Sequence, residues 1–417
     1  MVFKSNTAYI DTDVFLLGRN TVDTTTGSGI SGNLVAKITA SDGVYGDQFG
    51  LSVAIGSDVI VVGAPQDDDN GSDSGSAYIF NTSGTQLAKI KPSDGAALDY
   101  FGGKVAVGSG RIVVAAYGDD DNGSFSGSAY IFNTSGTQLA KIKPSSNTLG
   151  VDGGTGDAFG SSIAVGCGRV VIGAHQDGNS DQGSVYIFDI NGNQINKISH
   201  LLTSIGSGGN FGYSVDVGCG RIVVGAPYYD SVSTDNFGYV GIFDLNGNLI
   251  ATLTSPDSGD NFYYGISVSV GSGRIVVGET LESFYSSRGR IHIYDLNGNF
   301  INTVSNQSNM LFDGSKFGFS TAVSSGYIAV GAPYYSYNFT ESGYVGIFNQ
   351  DALLDTTITA IEIANESYIN FGYSVAINKD RLVVGTPAGY KSGVQAGAAY
   401  IYTLPSQPHF LDILDEY

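Results

Sequence analysis

The chain has 417 residues, a net charge of −20, only 14% charged residues and 42% hydrophobic ones, with 60 glycines against 9 prolines. That composition belongs to a folded chain and not to a disordered acidic one. The charge argues against nucleic acid, which needs Lys and Arg to displace phosphate counterions, and against an anionic membrane surface. It suits solubility, a cationic partner or retained divalent cations.

In chain order, Met1-Val2-Phe3-Lys4-Ser5 lacks the charged-then-apolar layout of a signal peptide, and Val14-Phe15-Leu16-Leu17 is too short to supply one. No later run approaches the ~18 apolar residues of a membrane span. Residues 1–31 read as an N-terminal extension suited to anchoring, and residues 33–40 as a strand. Phe-Gly then recurs at Phe49-Gly50, Phe101-Gly102, Phe159-Gly160, Phe211-Gly212, Phe317-Gly318 and Phe371-Gly372, with Tyr264-Gly265 in the one gap. Seven copies at intervals of 52 to 58 residues signal a repeat architecture.

The first copy reads as four strands. Leu51-Ser52-Val53-Ala54-Ile55 alternates with a period of two, and Val59-Ile60-Val61-Val62-Gly63-Ala64 is a β-branched run expected to be covered on both faces. A polar loop from Pro65 to Ser74 leads to Ser76-Ala77-Tyr78-Ile79-Phe80, a turn, and Gln86-Leu87-Ala88-Lys89-Ile90. One such sheet cannot bury both faces alone. Seven around an axis predict an all-β, seven-bladed β-propeller of four-stranded antiparallel blades. In later copies the last turn is Asn191-Gly192, Asn246-Gly247 or Asn297-Gly298, which predicts type I′ hairpins with φ > 0 at both central residues.

Residues 74–93 and 126–145 are identical, as expected of equivalent places in adjacent units. The seventh copy stops at its third strand, Ala398-Ala399-Tyr400-Ile401-Tyr402, while Gly32 to Gly43 resembles an orphan fourth strand. Residues 33–40 are therefore expected to close the ring, since an open array leaves unpaired sheet edges. The propeller is assigned to residues 32–405 and a C-terminal tail to 406–417, whose Phe410, Leu411, Ile413 and Leu414 have no place in the repeat. Cys167 and Cys219 occupy the slot that Ser109 and Ser272 hold elsewhere and read as small turn residues.

Phe49-Gly50-Leu51-Ser52-Val53-Ala54, Val61-Val62-Gly63-Ala64-Pro65 and Gly75-Ser76-Ala77-Tyr78-Ile79-Phe80 together resemble the FG-GAP repeat, and Gly-Ala-Pro returns at Gly225-Ala226-Pro227 and Gly331-Ala332-Pro333. The resemblance implies the integrin-α type of seven-bladed propeller and a binding module in place of an enzyme. The calcium loop that integrin repeats carry before Gly-Ala-Pro is replaced here by Gly56-Ser57-Asp58 or Gly108-Ser109-Gly110-Arg111, so those calcium sites do not transfer. The segment from Ala8 to Asn20 resembles the N-terminal stretch of tailed-phage virion proteins, cyanophage ones among them. That likeness implies a virion component assembled in a host cytoplasm.

In this strand order, loops after strands two and four share one face, and they are the long, divergent ones, where recognition usually lives. Early copies place acids there: Asp67, Asp69 and Asp73, then Asp119 and Asp121, then Asp177, Asn179 and Asp181. Their alternating oxygens suit Ca²⁺, and equally suit solvated turns. Later copies place aromatics there: Tyr228, Tyr229 and Phe237; Phe284 and Tyr285; Tyr334, Tyr335, Tyr337 and Phe339; and Tyr390. These rings either contact a protein or glycan or pack against neighbouring loops.

Catalytic motifs are scarce: His175, His200, His292 and His409 fall at unrelated places, and Glu279 with Glu282 is the one carboxylate pair that replaces a Gly-Ala-Pro. The expected function is non-enzymatic: a virion component joined to other virion proteins through residues 1–30 or 406–417, with a host-surface protein or glycan on the variable face. The alternatives are a bacterial extracellular adhesion protein and a glycan-active propeller enzyme.

Overall fold

The computed structural model describes residues 33–144, 155–178, 181–200, 209–229, 237–256, 262–281, 289–305, 315–337, 340–359, 369–391 and 393–404. Among them there is no helix, and seven four-stranded antiparallel sheets form a seven-bladed propeller. Blade one comprises Val53–Ile55, Val59–Ala64, Ser76–Asn81 and Gln86–Ile90. Blades two to six begin at Lys104, Phe159, Ser214, Phe262 and Ser320. Blade seven takes Ser374–Asn378, Arg381–Thr386 and Ala398–Thr403 from the C-terminal end and Asn33–Ile38 from the N-terminal end. Leu34 pairs with Tyr402 and Ile38 with Ala399, so the expected orphan strand closes the ring.

First strands of adjacent blades lie against each other at the axis, and fourth strands form the outer rim. Second strands such as Val59–Ala64 are buried throughout, as their unbroken β-branched composition requires. Outer strands such as Leu249–Leu253 are largely exposed and turn inward only through residues like Leu253.

The repeat motif is explained by how one blade meets the next. The Phe-Gly phenylalanine is sealed between blades against two aromatic rings of its own third strand; Phe101 is edge-on to Tyr130 (5.5 Å) and Phe132 (6.0 Å), whereas Phe211 and Phe317 stack on Tyr239 and Tyr344. Such edge contacts add about 0.5–1.5 kcal/mol each to burial. The following glycine has φ near +90° (Gly50 93°, Gly102 94°, Gly212 91°), and its carbonyl oxygen points into the preceding blade. There it meets the glycine of Gly-Ala-Pro. A Cβ on Gly63 would stand 1.9 Å from the Gly102 oxygen, one on Gly331 2.0 Å from that of Gly372, and one on Gly385 2.1 Å from that of Gly50.

The same carbonyl accepts a hydrogen bond from a first-strand serine of the preceding blade: Ser162 to Gly212 (2.6 Å), Ser214 to Gly265, Ser267 to Gly318 and Ser320 to Gly372 (2.8 Å each), and Ser374 to Gly50 (3.0 Å). The junction of blades two and three departs from this scheme, with Ala115 in place of the glycine and Lys104 in place of the serine. The Ala115 methyl there lies 2.9 Å from where a Cβ on Gly160 would stand.

The face opposite the long loops is uniform. In blades two to six the turn between strands one and two has two residues at positive φ, as in Ser109-Gly110 and Cys167-Gly168 (49° and 70° in both), the type I′ geometry. Both cysteines occupy such turns. Turns between strands three and four differ from the expected type I′. Only the glycine has positive φ (Gly192 90°, Gly247 88°), because the preceding Asp or Asn caps the turn. Asp189 Oδ1 accepts the N–H groups of Asn191 (2.8 Å) and Asn193 (2.9 Å), and Asn81 Oδ1 accepts those of Ser83 and Thr85. This local carboxylate or amide bond holds a type I turn followed by a left-handed glycine. Arginines reach from one blade to the next blade's turn: Arg169 Nε to the Leu245 carbonyl (3.0 Å) and Arg221 Nε to that of Leu296 (2.9 Å).

The spacing argument is checked by Gly63→Ala. The added methyl must push the Gly102 carbonyl outward, with an expected destabilisation on the order of 1–3 kcal/mol in chemical or thermal unfolding; an unchanged midpoint refutes the account.

Candidate functional site on the loop face

The acidic loops of the first three blades converge on lysines. In blade one, Asp67 is buried, and Lys89 Nζ from the fourth strand lies 2.9 Å from its Oδ2, 2.8 Å from Asp42 Oδ2 and 2.8 Å from Asp69 Oδ2. Tyr78 Oη donates to Asp67 (2.9 Å) or Asp42 (2.8 Å), and the ammonium stands 5.3 Å from the centre of the Tyr78 ring. Blade two repeats the node with Lys141 on Asp94 (2.8 Å), Asp119 (2.7 Å) and Asp121 (2.8 Å), closed by Tyr130. Blade three has Lys197, Asp177 and Tyr186.

Burial alone would lower the Lys89 pKa, but hydrogen bonds from Asp42, Asp69 and Asp67 outweigh it and push the value up. Burial likewise opposes ionisation of Asp42, yet the Lys89 and Tyr78 hydrogen bonds hold that carboxyl below its usual range. The points where three carboxylates converge, Asp42, Asp67 and Asp69 in blade one and Asp94, Asp119 and Asp121 in blade two, are thus each taken by an ammonium group. Asp73 and Asp181 are left-handed turn residues (φ 52° and 54°) whose carbonyls accept the N–H groups of Tyr100 and Asn210. Asn179 lies outside the described residues.

The other blades replace this node. In blades four and six the Asp becomes Tyr229 or Tyr335, the node tyrosine becomes Gly241 or Gly346, and the lysine becomes Thr252 or Thr357. Tyr229 packs edge-on against Tyr239 (5.2 Å) and Tyr335 against Tyr344 (5.0 Å), so an ion-pair node becomes an aromatic one. In blade five, His292 stands where the tyrosine would be. It is bonded through Nε2 to Glu279 and through Nδ1 to Thr303 Oγ1 (2.9 Å), while Ser255 and Arg290 also reach Glu279. His292 and Glu279 are 0% and 1% exposed, so they tie strands together out of reach of any substrate. Glu282 lies outside the described residues.

A second group surrounds the axial opening. Residues just after the Phe-Gly pairs include Tyr213, Phe319 and Tyr373, all half-buried. At blade two that position is Gly103, and the Tyr117 ring lies over it, 2.5 Å from where a Cβ would stand. Ring contacts join these residues into arcs: His175–Tyr213 (5.6 Å), Tyr213–Tyr228 (5.5 Å) and Tyr228–Tyr263 (4.8 Å), then Tyr334–Phe319 (5.9 Å) and Phe319–Tyr373 (5.0 Å). Burial, reinforced by the hydroxyls of Tyr228, Tyr373 and Tyr334, pushes the Tyr213 pKa up.

Lys104 emerges on the innermost strand of blade two. It is exposed to solvent, yet burial lowers its pKa. Both hold for a side chain in a solvent-filled axial opening with protein on all sides. Deeper on blade four, Asp216 accepts the N–H groups of Val217 (2.8 Å) and of Val270 on the next blade (2.7 Å), and burial raises its pKa to about 6.

Of the aromatic candidates, Tyr228 and Tyr334 thus join this collar, while Tyr229 and Tyr335, one residue later, pack inward. Phe237 is half-buried, its N–H bonded to the Tyr229 carbonyl. Tyr390 lies on a small two-stranded hairpin, Tyr390–Lys391 with Val394–Gln395, against the core between blades six and seven. Tyr337 lies on the matching hairpin of blade six. Phe284, Tyr285 and Phe339 are outside the described residues. Sequence reading missed Lys89, Lys141 and Lys197, although each follows its Asp by 22, 22 and 20 residues.

The FG-GAP repeat family model matches residues 33–80, 85–132, 137–188 and 358–402, each stretch running from one blade's outer strand into the next blade. These four stretches carry FG-GAP repeats. No curated protein matches it in sequence. Among solved structures, Raptor from Chaetomium thermophilum is similar at a TM-score of 0.53 and 11% identity over 89% of this chain, which spans 29% of that protein's length. The β-propeller domain of the Trilobed protease from Pyrococcus furiosus is similar at a TM-score of 0.48 and 10% identity, over 87% of this chain and 94% of that one. At such identities the likeness is one of fold.

Two outcomes test the site. Lys89→Ala leaves buried Asp67 without its cation and is expected to cost about 2 kcal/mol, less than the roughly 3–5 kcal/mol of a sealed pair because Asp42 and Asp69 still meet water. The Asp216 carboxyl has a folded pKa of about 6 against an ordinary value of 3.8, so its contribution is full below the lower value and is lost as pH rises through the upper one. Stability of Asp216→Asn relative to the native chain should therefore rise between those two pH values in urea melts; a constant difference refutes the shift.

Proposed function

We propose that this chain is a non-catalytic recognition propeller whose loop face, formed after strands two and four, meets the ligand. The observation that carries this is the contrast between the two faces. One face repeats the same capped turns and arginine ties from blade to blade. The other varies in chemistry around the ring, from ion-pair nodes to aromatic ones, with an aromatic collar at its centre. A rigid scaffold with one face free to vary is the arrangement that binding proteins use.

The finer reading is a tailed-phage virion component, held to other virion proteins through residues 1–30 or 406–417 and presenting this face to a host-surface protein or glycan. It is supported by the likeness of residues 8–20 to phage virion proteins. Labelling of native particles with an antibody to the propeller tests it: particle-bound label is the expected result, and label confined to a bacterial cell surface points to the adhesion reading. For the face itself, Tyr228→Ala with Tyr334→Ala should weaken binding to host cells by roughly tenfold or more, the loss of two aromatic anchors, with little change in melting temperature. Undiminished binding rejects the loop face.

A further inference from the structure

Blade two departs from the repeat at its junction with blade three, where Ala115 replaces the glycine and Lys104 the serine. Where blades three to seven set a serine that ties down the next blade's carbonyl, it sets Lys104. Among the described residues this ammonium has no hydrogen bond and no ion pair, unlike Lys89, Lys141 and Lys197, which are each held by carboxylates. A lysine on the innermost strand with no carboxylate partner among the described residues, in a chain carrying a charge of −20, leaves a positive site near the axis, on the other side of the ring from Lys316, which stands over the collar's Tyr334. Burial holds the nearby His175 imidazole neutral, the Asp181 carboxylate works against this, and the Lys104 charge adds to it. His175 in turn touches Tyr213, at one end of the aromatic arc, and its Nδ1 has no hydrogen-bond partner.

We infer that the axial opening on the loop face binds a carboxylate-bearing sugar, with its carboxylate on Lys104 and its ring laid on the collar around Tyr213, Phe319 and Tyr373. The cation selects the acid, since a charge-assisted pair inside a protein-walled opening is stronger than one on an open surface. The rings, half-buried and tilted toward one another, offer faces to the C–H groups of a sugar and hydroxyls to its polar edge. A bare inorganic anion would use the lysine and none of the rings. The inference rests on the loop face being the recognition face and names the ligand class and the residue that selects it.

The test is an NMR titration of the full chain with glucuronate and galacturonate, against glucose, benzoate and phosphate. Lys104→Ser restores the residue the other blades use, so the fold should persist, with the melting temperature as control. Uronates should bind, glucose should bind roughly tenfold weaker or worse, and Lys104→Ser should lose a similar factor, as for one charge-assisted contact. Lys104→Arg should retain binding. Uronates that do not bind, or that bind Lys104→Ser equally, overturn the inference; phosphate or benzoate binding as tightly overturns the sugar assignment. Glycan-array binding that Lys104→Ser leaves intact removes the axial site and keeps the loop-face reading, whereas binding that maps only to the opposite face removes both.

Discussion

The spacing of the whole ring depends on a carbonyl oxygen pressed against a glycine Cα. Because the Gly102 oxygen sits where a Gly63 side chain would begin, and the same contact recurs at Gly331 and Gly385, neighbouring blades approach more closely than any side chain permits. Several features of the repeat follow from it. The Phe-Gly glycine must adopt φ near +90° to aim the carbonyl, the Gly-Ala-Pro glycine must lack a Cβ to receive it, and a serine satisfies the buried oxygen. The phenylalanine beside it fills the wedge between sheets. Where Ala115 and Lys104 replace two of these partners, they do so at the same junction, as a shared contact requires.

With the blade spacing fixed by backbone, side chains at the loop end are free to differ. Blades one to three use ionic nodes, blades four and six aromatic ones, and blade five a buried imidazole–carboxylate pair. In blades four to six the loss of the Asp goes with loss of the lysine on the fourth strand, whereas blade seven, with Gly389 at the Asp position, keeps Lys37 over the Tyr400 ring. The substitutions thus behave as exchanges of a whole local network, in keeping with the cost of leaving one charged partner buried alone. Most cations near the ring are engaged in these nodes or in the arginine ties of the opposite face.

The fold was legible because a 52- to 58-residue period and an orphan strand carry topology directly. The closing pair, Leu34 with Tyr402, needed no knowledge of side-chain contacts. The turn type between strands three and four was misread because Asn-Gly was weighed without Asp189 or Asp244, whose carboxylates grip the turn from outside it. The ionic nodes were half legible: Asp67, Asp119 and Asp177 drew attention, but their lysines lie two strands later, and Asp42 and Asp94 belong to the loop that enters the blade. The aromatic candidates split because successive residues at a strand end point in opposite directions, sending Tyr228 to the axis and Tyr229 to the core. Lys104 carried a readable signal, a lysine in a column of serines, which only the geometry of that column made meaningful.

The closing strand has a consequence for how the molecule forms. Thr403 Oγ1 reaches the Asn33 carbonyl across 370 residues of sequence, and the whole seventh sheet depends on such distant partners. Blades one to six can each assemble from a local stretch of chain, while the seventh must wait for both ends to meet, so the largest loop-closure cost falls on the final step. Until then the third strand of blade seven offers an unpaired edge that the 33–38 strand of another copy could fill as well as its own. Chain concentration during synthesis therefore selects between a self-closed ring and linked rings, and once closed, the ring is held by a clasp that resists opening at any single blade.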